Sequence, residues 1–455
     1  MKLAKSFFRL PYLIRLVTIN FVAIWKGFGR YGSEYSKMVK FLNISEDWLV
    51  DTKKKWQEEA LGEIMTSAIN GSQYYSNIIK PEFYNLSDFN DFMPILEKNT
   101  LKTYPKKIIN FNEKKWATTY KSGSTGSPMV FEHSKAGNQK RFAVMSDHLT
   151  RLGVKLSDRS VRLSGRIIAD PSKPQKKPWI HNFFEKQLLL STYHLDEFHG
   201  DAIGKKLLAF QPAVIDGYPS SILQLLTILN RINCKIPSLR LIVCTAETLS
   251  PETLNNLKEL ARVPVVDYYS ASEGTPLVQQ CEYGTYHVRW QSGFLQVRTA
   301  DKVASEGDGE IIATSLFQRR MPLLKYATGD LCTGLRAIGR KQCQCGLVTQ
   351  TIESVLGRIE DQVKTEDGRQ LGMFPYRTLK QIQGIAAAQI IQEDYRVFLV
   401  KIVFQYPVMR QRVESDIRDS FKNVLGYEVE VRFEERSEIS KGANGKVRSL
   451  ISYVS

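Results

Sequence analysis

The sequence predicts an α/β protein: a large N-terminal domain with mostly parallel sheets and a β subdomain, then a small α+β domain. Three observations predict it. Between Ala213 and Tyr269, short apolar strands alternate with helical segments, the pattern of a parallel sheet covered on both faces. From Gly284 the pattern turns to shorter, alternating β segments. Beyond Gly357 the order reads β, helix, β, β, helix, β, which describes a small α+β domain.

A chain of 455 residues can bury a large core and divide into two or three domains. Hydrophobic residues make up 43% and charged residues 24%, which excludes disorder, collagen and coiled coil. Six cysteines are too few for a disulfide scaffold. Lys and Arg outnumber Asp and Glu by 63 to 47, a net charge of +16. Such an excess suits nucleic acid, anionic membranes or nucleotide substrates, and does not choose among them.

Taken in order, residues 1–30 open with Lys2, Lys5 and Arg9, but Pro11 and Arg15 break the apolar stretch and no cleavage site follows. The run Leu16–Trp25 is too short to span a bilayer, which needs about 20 apolar residues. Two readings stand: a packing helix, or a basic amphipathic segment in peripheral contact with the cytoplasmic membrane face. The expected location is cytoplasmic, with membrane association as the alternative. Residues 34–105 read as polar helices with loops at Asn70-Gly71 and near Pro81. Trp116–Tyr120 is a β run entering a Gly/Ser loop, and residues 134–152 are helical. Pro171–Pro178, with three prolines and three lysines, is an exposed loop. Strands follow at Ala213–Tyr218, Leu239–Cys244 and Val263–Tyr269, with helices after Pro219 and Pro251. Shorter β segments lie at Tyr286–Trp290, Phe294–Arg298 and Glu310–Thr314. The last domain holds helices at Phe374–Gln383 and Val408–Val424 and strands at Val397–Phe404 and Glu428–Phe433. The joint falls near Gly357–Asp361, giving domains of 1–357 and 358–455.

Five short motifs carry chemistry. Tyr120–Pro128 (YKSGSTGSP) offers glycines, hydroxyls and backbone N–H groups that can wrap a phosphate chain, without the spacing of an NTPase P-loop. Asp267–Gly274 (DYYSASEG) ends an apolar strand, where ligands of α/β sheets bind; an aromatic there can stack on a base and a carboxylate can hold Mg²⁺. Tyr326–Leu331 (YATGDL) places Asp330 after a tight turn, suited to a ribose diol. Gly357–Asp361 (GRIED) puts Arg358 and Glu360 at the composition shift. Ser440–Arg448 (SKGANGKVR) presents Lys446 on a Gly-rich loop, where it can meet developing negative charge. Each motif alone also reads as a plain loop, turn, linker or solvated tail.

The five in this order resemble the adenylate-forming superfamily of acyl-CoA synthetases and related ligases. Within it the chain is most similar to the phenylacetate–CoA ligase and CapK-like branch of capsule biosynthesis. SGSTGSP resembles the phosphate loop, Tyr269–Glu273 the Y-G-x-[ST]-E motif, and Thr245-Ala246-Glu247 the adenine-contacting segment. Tyr326–Asp330 resembles Y-x-T-G-D, Gly357–Asp361 resembles G-R-x-D-D, and Asn444–Lys446 the terminal N-G-K. Gly217–Ser220 and Met321–Tyr326 resemble segments usual in the CapK-like branch. The resemblance runs from about residue 10 to 450, nearly the whole chain.

The resemblance implies ATP-dependent activation of a carboxylic acid as an acyl-adenylate, then transfer to a thiol (CoA or a carrier protein) or an amine. It implies Ser122, Gly123, Ser124, Thr125 and Gly126 at the β/γ-phosphates, and Ser272 and Glu273 at the α-phosphate and Mg²⁺. It implies Tyr269, Ala246 and Glu247 around adenine, Asp330 at the ribose, Arg358 at a phosphate and Lys446 as the bridging cation. The small domain would swing about Glu360 and exclude water from the adenylate. A role in surface polysaccharide biosynthesis is implied by the branch alone. Three departures stand out: Ser270 for the usual Gly, Ser127 where Lys is common (with Lys121 as a candidate substitute), and Glu360 for the usual hinge Asp.

Cys281, His287, Cys343 and Cys345 form a Cys₃His set suited to structural zinc, although C-x-C is tighter than the usual spacing. The CapK-like branch often carries Cys and His at these places; reduced thiols beside an exposed His are the alternative. Cys332 reads as a strand residue, and Cys234 and Cys244 as core. His133 and His148 read as structural, His181–Phe184 as core or acyl-pocket lining, and Arg319-Arg320 as a solvated face. Two other functions compete with ligation: an idle nucleotide-binding or membrane-docked scaffold, and nucleic-acid binding. Glu273, Asp330, Arg358 and Lys446 together argue against the first; scattered charge and no matching motif argue against the second.

Overall fold

The computed structural model describes residues 7–79, 86–121, 129–299, 302–359, 362–371, 374–379, 382, 384–404, 409–440 and 448–454. Helices come first: α1 (Tyr12–Arg30), α2 (Ser33–Ser45), α3 (Val50–Gly71), α4 (Gln73–Ile78), α5 (Leu86–Phe92), α6 (Lys98–Thr103) and α7 (Pro105–Ile108). An antiparallel pair follows, β1 (Lys115–Lys121) with β2 (Met129–Ser134). Ser134 then caps α8 (Lys135–Arg151), its side chain accepting from the Gly137 N–H.

The next elements alternate: β3 (Ser160–Ser164), β4 (Trp179–Asn182), β5 (Gln187–Ser191), α9 (Glu197–Phe210), β6 (Val214–Gly217), α10 (Pro219–Arg231), β7 (Leu241–Thr245), α11 (Pro251–Ala261) and β8 (Val265–Tyr269). Asp196 and Ser250 cap α9 and α11, and proline opens α10 and α11, where its missing N–H costs nothing. Short β elements then run as β9 (Val278–Gln280), β10 (Tyr286–Val288), β11 (Gly293–Arg298), β12 (Val303–Ala304), β13 (Gly307–Ser315), β14 (Tyr326–Leu335), β15 (Gln350–Ile352) and β16 (Ser354–Arg358). The chain ends with β17 (Val363–Lys364), β18 (Gln370–Leu371), α12 (Phe374–Leu379), β19 (Ile385–Asp394), β20 (Val397–Phe404), α13 (Arg410–Leu425), β21 (Glu430–Glu435) and β22 (Leu450–Ser452).

Among the described residues the main sheet has nine strands, ordered β15-β10-β9-β8-β7-β6-β3-β5-β4. Strands β5, β3, β6, β7 and β8 are parallel, and antiparallel strands close both edges. The parallel strands β5, β6, β7 and β8 are mostly buried, whereas β3 alternates, burying Val161 and Leu163. Leu163, Ile215 and Ile242 share one core with Leu207 of α9, Leu225 of α10 and Leu257 of α11. The β subdomain is an antiparallel sheet, β12-β11-β13-β14-β16. In the small domain, β20 buries alternate residues, Phe398, Val400, Ile402 and Phe404. They pack with Val413, Ile417, Phe421 and Leu425, spaced one turn apart on α13.

The fold class is therefore the expected one, with local corrections. Asn70-Gly71 forms the last turn of α3 rather than a loop. Of the helix expected over Phe374–Gln383, Phe374–Leu379 is present and Ile382 is not helical; residues 380, 381 and 383 lie outside the described residues. Strands β2 to β5 and helix α9 lie where the sequence pattern gave no element, and β22 adds a fourth strand beside β19. Helix α1 packs on the large domain along one side, as the packing reading expects. One side packs Tyr12, Leu16 and Ile19 against Ile168, Ile180 and Leu189. The other leaves Leu13, Val17, Phe21 and Phe28 exposed. No described helix is long and apolar enough to cross a membrane.

Candidate active site and metal centre

Strand β8 delivers the centre of the site. Its last residue, Tyr269, donates its hydroxyl to Asp330 Oδ2 at 2.9 Å. Asp330 lies opposite Arg358 in the β14–β16 register, and Arg358 Nε is 3.8 Å from Asp330 Oδ1. The turn before Asp330 is fixed from both sides. Gly329 N–H donates to Glu310 Oε1 at 2.9 Å, and Gly329 O accepts from Ile359 N–H at 2.9 Å. Burial and the Asp330 charge both push the Tyr269 phenol well up, so it stays a donor.

The residues after β8 curl under this pair. Glu273 is only 2% exposed; its Oε2 accepts from Ser272 Oγ at 3.2 Å and its Oε1 from the Tyr326 hydroxyl at 3.5 Å. Gly274 takes φ +99°, and a Cβ there would come within 2.3 Å of Gln318. Gln318 in turn donates to His133 Nδ1 at 2.5 Å. Thr119 donates to the Ser272 carbonyl at 3.1 Å, so it accepts from His133 Nε2 at 2.8 Å. Burial, then the Arg141 charge, holds His133 at about 4, neutral at physiological pH. It is a brace between β1 and the Ser272 turn, as its structural reading expected.

Opposite Tyr269, Ala246 takes φ +69°, a left-handed conformation that costs a residue with a Cβ about 1–3 kcal/mol. Neighbouring Glu247 accepts from the Ser220 N–H at 3.2 Å, which joins Tyr218–Ser220 to the same rim. Ser270 is held by the Arg141 guanidinium, which also donates to the Thr275 carbonyl at 3.1 Å. Arg141, Gln318 and Thr119 carry no motif and escape sequence reasoning, because each acts on a residue far away in the chain.

Tyr269, Ser272, Glu273, Asp330 and Arg358 thus come together at one end of the parallel sheet, with Ala246 and Glu247 on the adjoining β7 loop. Ser122, Gly123, Ser124, Thr125, Gly126, Ser127, Glu360 and Lys446 lie outside the described residues, and nothing of the Lys121 side chain is described. The segment His181–Phe184 starts on the edge strand β4, five strands from β8, and packs on α1 instead of Tyr269. Arg320 is no solvated residue: it pairs with Glu132 at 2.7 Å and donates to the Asn110 and Glu113 carbonyls.

A second cluster closes the far edge of the sheet. Cys281 follows β9, His287 is in β10, and Cys343 and Cys345 lie in the loop before β15. Their ligand atoms all lie within 4.8 Å of one another. Cys281 and Cys343 sulfurs are 3.7 Å apart, against about 3.8 Å for two thiolates on tetrahedral zinc with ~2.3 Å bonds. Cys345 Sγ is 3.3 Å from His287 Nε2. Thr349 donates to the Gln350 carbonyl at 2.8 Å, so it accepts from His287 Nδ1–H at 2.9 Å. That leaves the Nε2 lone pair facing the cysteines, as metal ligation requires.

Comparisons with known proteins agree with this geometry. A family model described as the CapK C-terminal domain matches residues 370–453. Protein CapK of Staphylococcus aureus is 23% identical over 435 residues, covering 93% of this chain and 94% of that protein. These two matches agree with the resemblance to the CapK and phenylacetate–CoA ligase-like branch of the adenylate-forming superfamily. Phenylacetate-coenzyme A ligase of Aromatoleum evansii is 22% identical over 265 residues, 53% of this chain and 58% of that one. Among solved structures, a 2-hydroxyisobutyryl-CoA ligase in the postadenylation state with 2-HIB-AMP superimposes with TM-score 0.70 at 16% identity, covering 90% and 91% of the two chains. An anthranilate CoA ligase in complex with anthranoyl-AMP gives TM-score 0.52 at 16% identity, covering 74% and 66%. These likenesses show the fold.

One buried carboxyl makes the site's strand pH-sensitive. Burial pushes Asp267 up to about 6, against hydrogen bonds from the Tyr286 hydroxyl and the Tyr268 N–H. Raised above its unfolded value, this group contributes fully below about pH 4, and that contribution is lost as pH rises through 6. Asp267→Asn should flatten this slope and raise neutral-pH stability by about 2 kcal/mol, read by urea unfolding across that pH range. An unchanged slope in the variant would refute the assignment.

Proposed function

We propose that the chain activates a carboxylic acid with ATP and passes the acyl group to a thiol, CoA or a carrier, or to an amine. The convergence of Tyr269, Glu273, Asp330 and Arg358 at the end of β8 carries this reading. In the first step a carboxylate oxygen attacks the α-phosphorus and pyrophosphate leaves. In the second the acceptor attacks the acyl carbon and AMP leaves.

Tyr269, Ala246 and Glu247 frame the adenine. Asp330, held in place by the Tyr269 hydroxyl, takes the ribose hydroxyls as a carboxylate acceptor. Ser272 and Glu273 hold the α-phosphate, and the buried Glu273 carboxylate, beside the Ser272 and Tyr326 hydroxyls, suits Mg²⁺, which would supply charge neutralisation there. Residues 122–126 take the β/γ-phosphates, Arg358 a phosphate oxygen, and Lys446 the incoming carboxylate and α-phosphate. We divide the chain into a core of 1–357 and a lid of 358–455 turning on Glu360; the described backbone pairing of β14 and β16 ends next to that position, at Ile359. By its likeness to Protein CapK, the pathway is surface polysaccharide biosynthesis.

Pyrophosphate release with ATP, Mg²⁺ and a panel of aryl, fatty and amino acids tests the reading. Release with one acid should fall about 10²–10³-fold in Lys446→Ala. Tight ATP binding without release for any acid would favour the idle scaffold, and no ATP binding would end the assignment.

Cys281, His287, Cys343 and Cys345 hold a structural zinc that ties the β9–β10 hairpin to the β14–β15 loop. Purified protein should carry one zinc per chain by elemental analysis, and Cys345→Ser should release it and lower the melting temperature. Wild-type protein free of zinc, with unchanged melting, would overturn the site.

Helix α1 lies on an anionic membrane surface. Leu13, Val17 and Phe21, between 68% and 72% exposed, continue through Ile24 and Phe28 as one stripe at helical spacing. Exposed Lys173, Lys176 and Lys177 flank its start, with Lys177 Nζ 5.1 Å from the Tyr12 ring centre. The chain should sediment with phosphatidylglycerol vesicles and not with phosphatidylcholine, and Phe21→Glu should abolish this. Equal sedimentation with both lipids, or none, counts against it.

A further inference from the structure

Four cations gather where β3 and β6 end against α1: Lys26, Arg30, Arg162 and Arg166. Arg162 pairs with Asp216, its register partner on β6, at 3.3 Å. Arg30 pairs with Glu185, and its guanidinium lies 4.7 Å over the Phe142 ring. Two cations remain over. Neither Lys26 nor Arg166 has a carboxylate within ion-pair distance among the described residues.

The four repel one another. Burial, then Arg166 and Arg30, press Lys26 down to about 8, and burial chiefly lowers Arg30 to about 10. Arg166 is lowered by burial and then by Arg162, against the opposing pull of the Asp216 carboxylate that Arg162 pairs with, and the residue is exposed. Like charges held this close destabilise the empty protein, and an arriving anion relieves them.

The cluster is continuous with the site above. Arg162 and Arg141 both act on the Tyr268 hydroxyl, on the strand that carries Tyr269. Arg141 holds Ser270, and His133 feels both Arg141 and Glu273. Arg166 lies beside Tyr218, next to the α10 start that binds Glu247. Arg166 and Tyr218 follow the carboxyl ends of the parallel strands β3 and β6, where such sheets bind ligands. Strand β3 is three strands from β8, about 14 Å at ~4.8 Å per strand.

We propose that Lys26, Arg162 and Arg166 receive a second anionic group of the acid substrate. The substrate is then a carboxylic acid carrying a further carboxylate or phosphate about 10–14 Å from the reacting carboxyl. This rests on the adenylation reading and names its substrate class.

Binding is measured without turnover, by calorimetry with α,ω-dicarboxylates and ω-phosphonocarboxylates of that span, each against its monocarboxylate. Both dianionic series should bind at least tenfold tighter, the preference falling with salt, and the tighter series names the second group. Arg166→Ala and Lys26→Gln should each remove the preference, Arg166→Lys should keep part of it, and monocarboxylate binding should not change. Equal binding of mono- and dianionic acids, or a preference surviving both substitutions, overturns the inference. So does an Arg166→Ala effect confined to CoA or pyrophosphate. Dianionic binding without pyrophosphate release would instead remove the adenylation reading and leave the cluster's anion preference standing. Pyrophosphate release with monocarboxylates, without any tighter binding of the dianionic acids, would do the reverse.

Discussion

The hydrogen bond from Tyr269 to Asp330 is the constraint on which the rest of the site depends. It is the point where the parallel sheet, through β8, meets the antiparallel sheet, through β14. A hydrogen bond to a charged, part-buried acceptor contributes about 1.5–3 kcal/mol, more than an exposed ion pair. Its larger effect is positional. Because Asp330 is fixed by Tyr269, and Gly329 by Glu310 and Ile359, the start of the crossing into the small domain is fixed too. Tyr326, on the same strand, reaches Glu273, so one strand sets both the ribose end and the phosphate end of the proposed nucleotide path.

The opposite edge of the sheet is secured differently. There the strands are two or three residues long and cannot hold register by pairing alone. Three thiols and one imidazole converge on them. Beside them Arg289, 1% exposed, pairs with Asp147 of α8 at 2.7 Å, and Arg151 shares that carboxylate. Removing one partner of such a buried pair costs about 3–5 kcal/mol, because the other charge is stranded. The hairpin following β8 is thus held by ionic contacts as well as by the core that Val278, Tyr286 and Val288 share with Leu295, Ile311 and Ile352.

How much of this was legible follows from distance along the chain. The parallel run from Val214 to Tyr269 shows itself because its strands are mostly apolar, Asp216 and Asp267 apart, and its helices start at proline or a capping serine. Strand β3 hides because SVRLS carries Arg162 in its middle, and β4 and β5 are broken by the turn at Phe183-Phe184. The same holds for the site. Tyr269, Ser272 and Glu273 can be read because a strand end and its turn are contiguous. Arg141 reaches Ser270 across 129 positions, and Lys26 meets Arg166 from another element altogether. Spacing carries no trace of such pairs. The four zinc-type ligands could be read in advance because their residue types are rare and their chemistry specific.

The departure at Ser270 then has a physical account. In the superfamily motif this position is usually glycine, which has no side chain to hold. Here the serine hydroxyl accepts from Arg141, and Arg141 also grips the Thr275 carbonyl, so one guanidinium clamps both ends of the turn that carries Glu273. A glycine would leave that guanidinium with a single backbone partner. It would also free a further cation beside Arg162 and Tyr268, where positive charge is already in excess. The serine therefore does two things at once. It stiffens the turn that glycine would leave loose, and it sets Arg141 on the motif, apart from the cations proposed to meet the substrate's second charge.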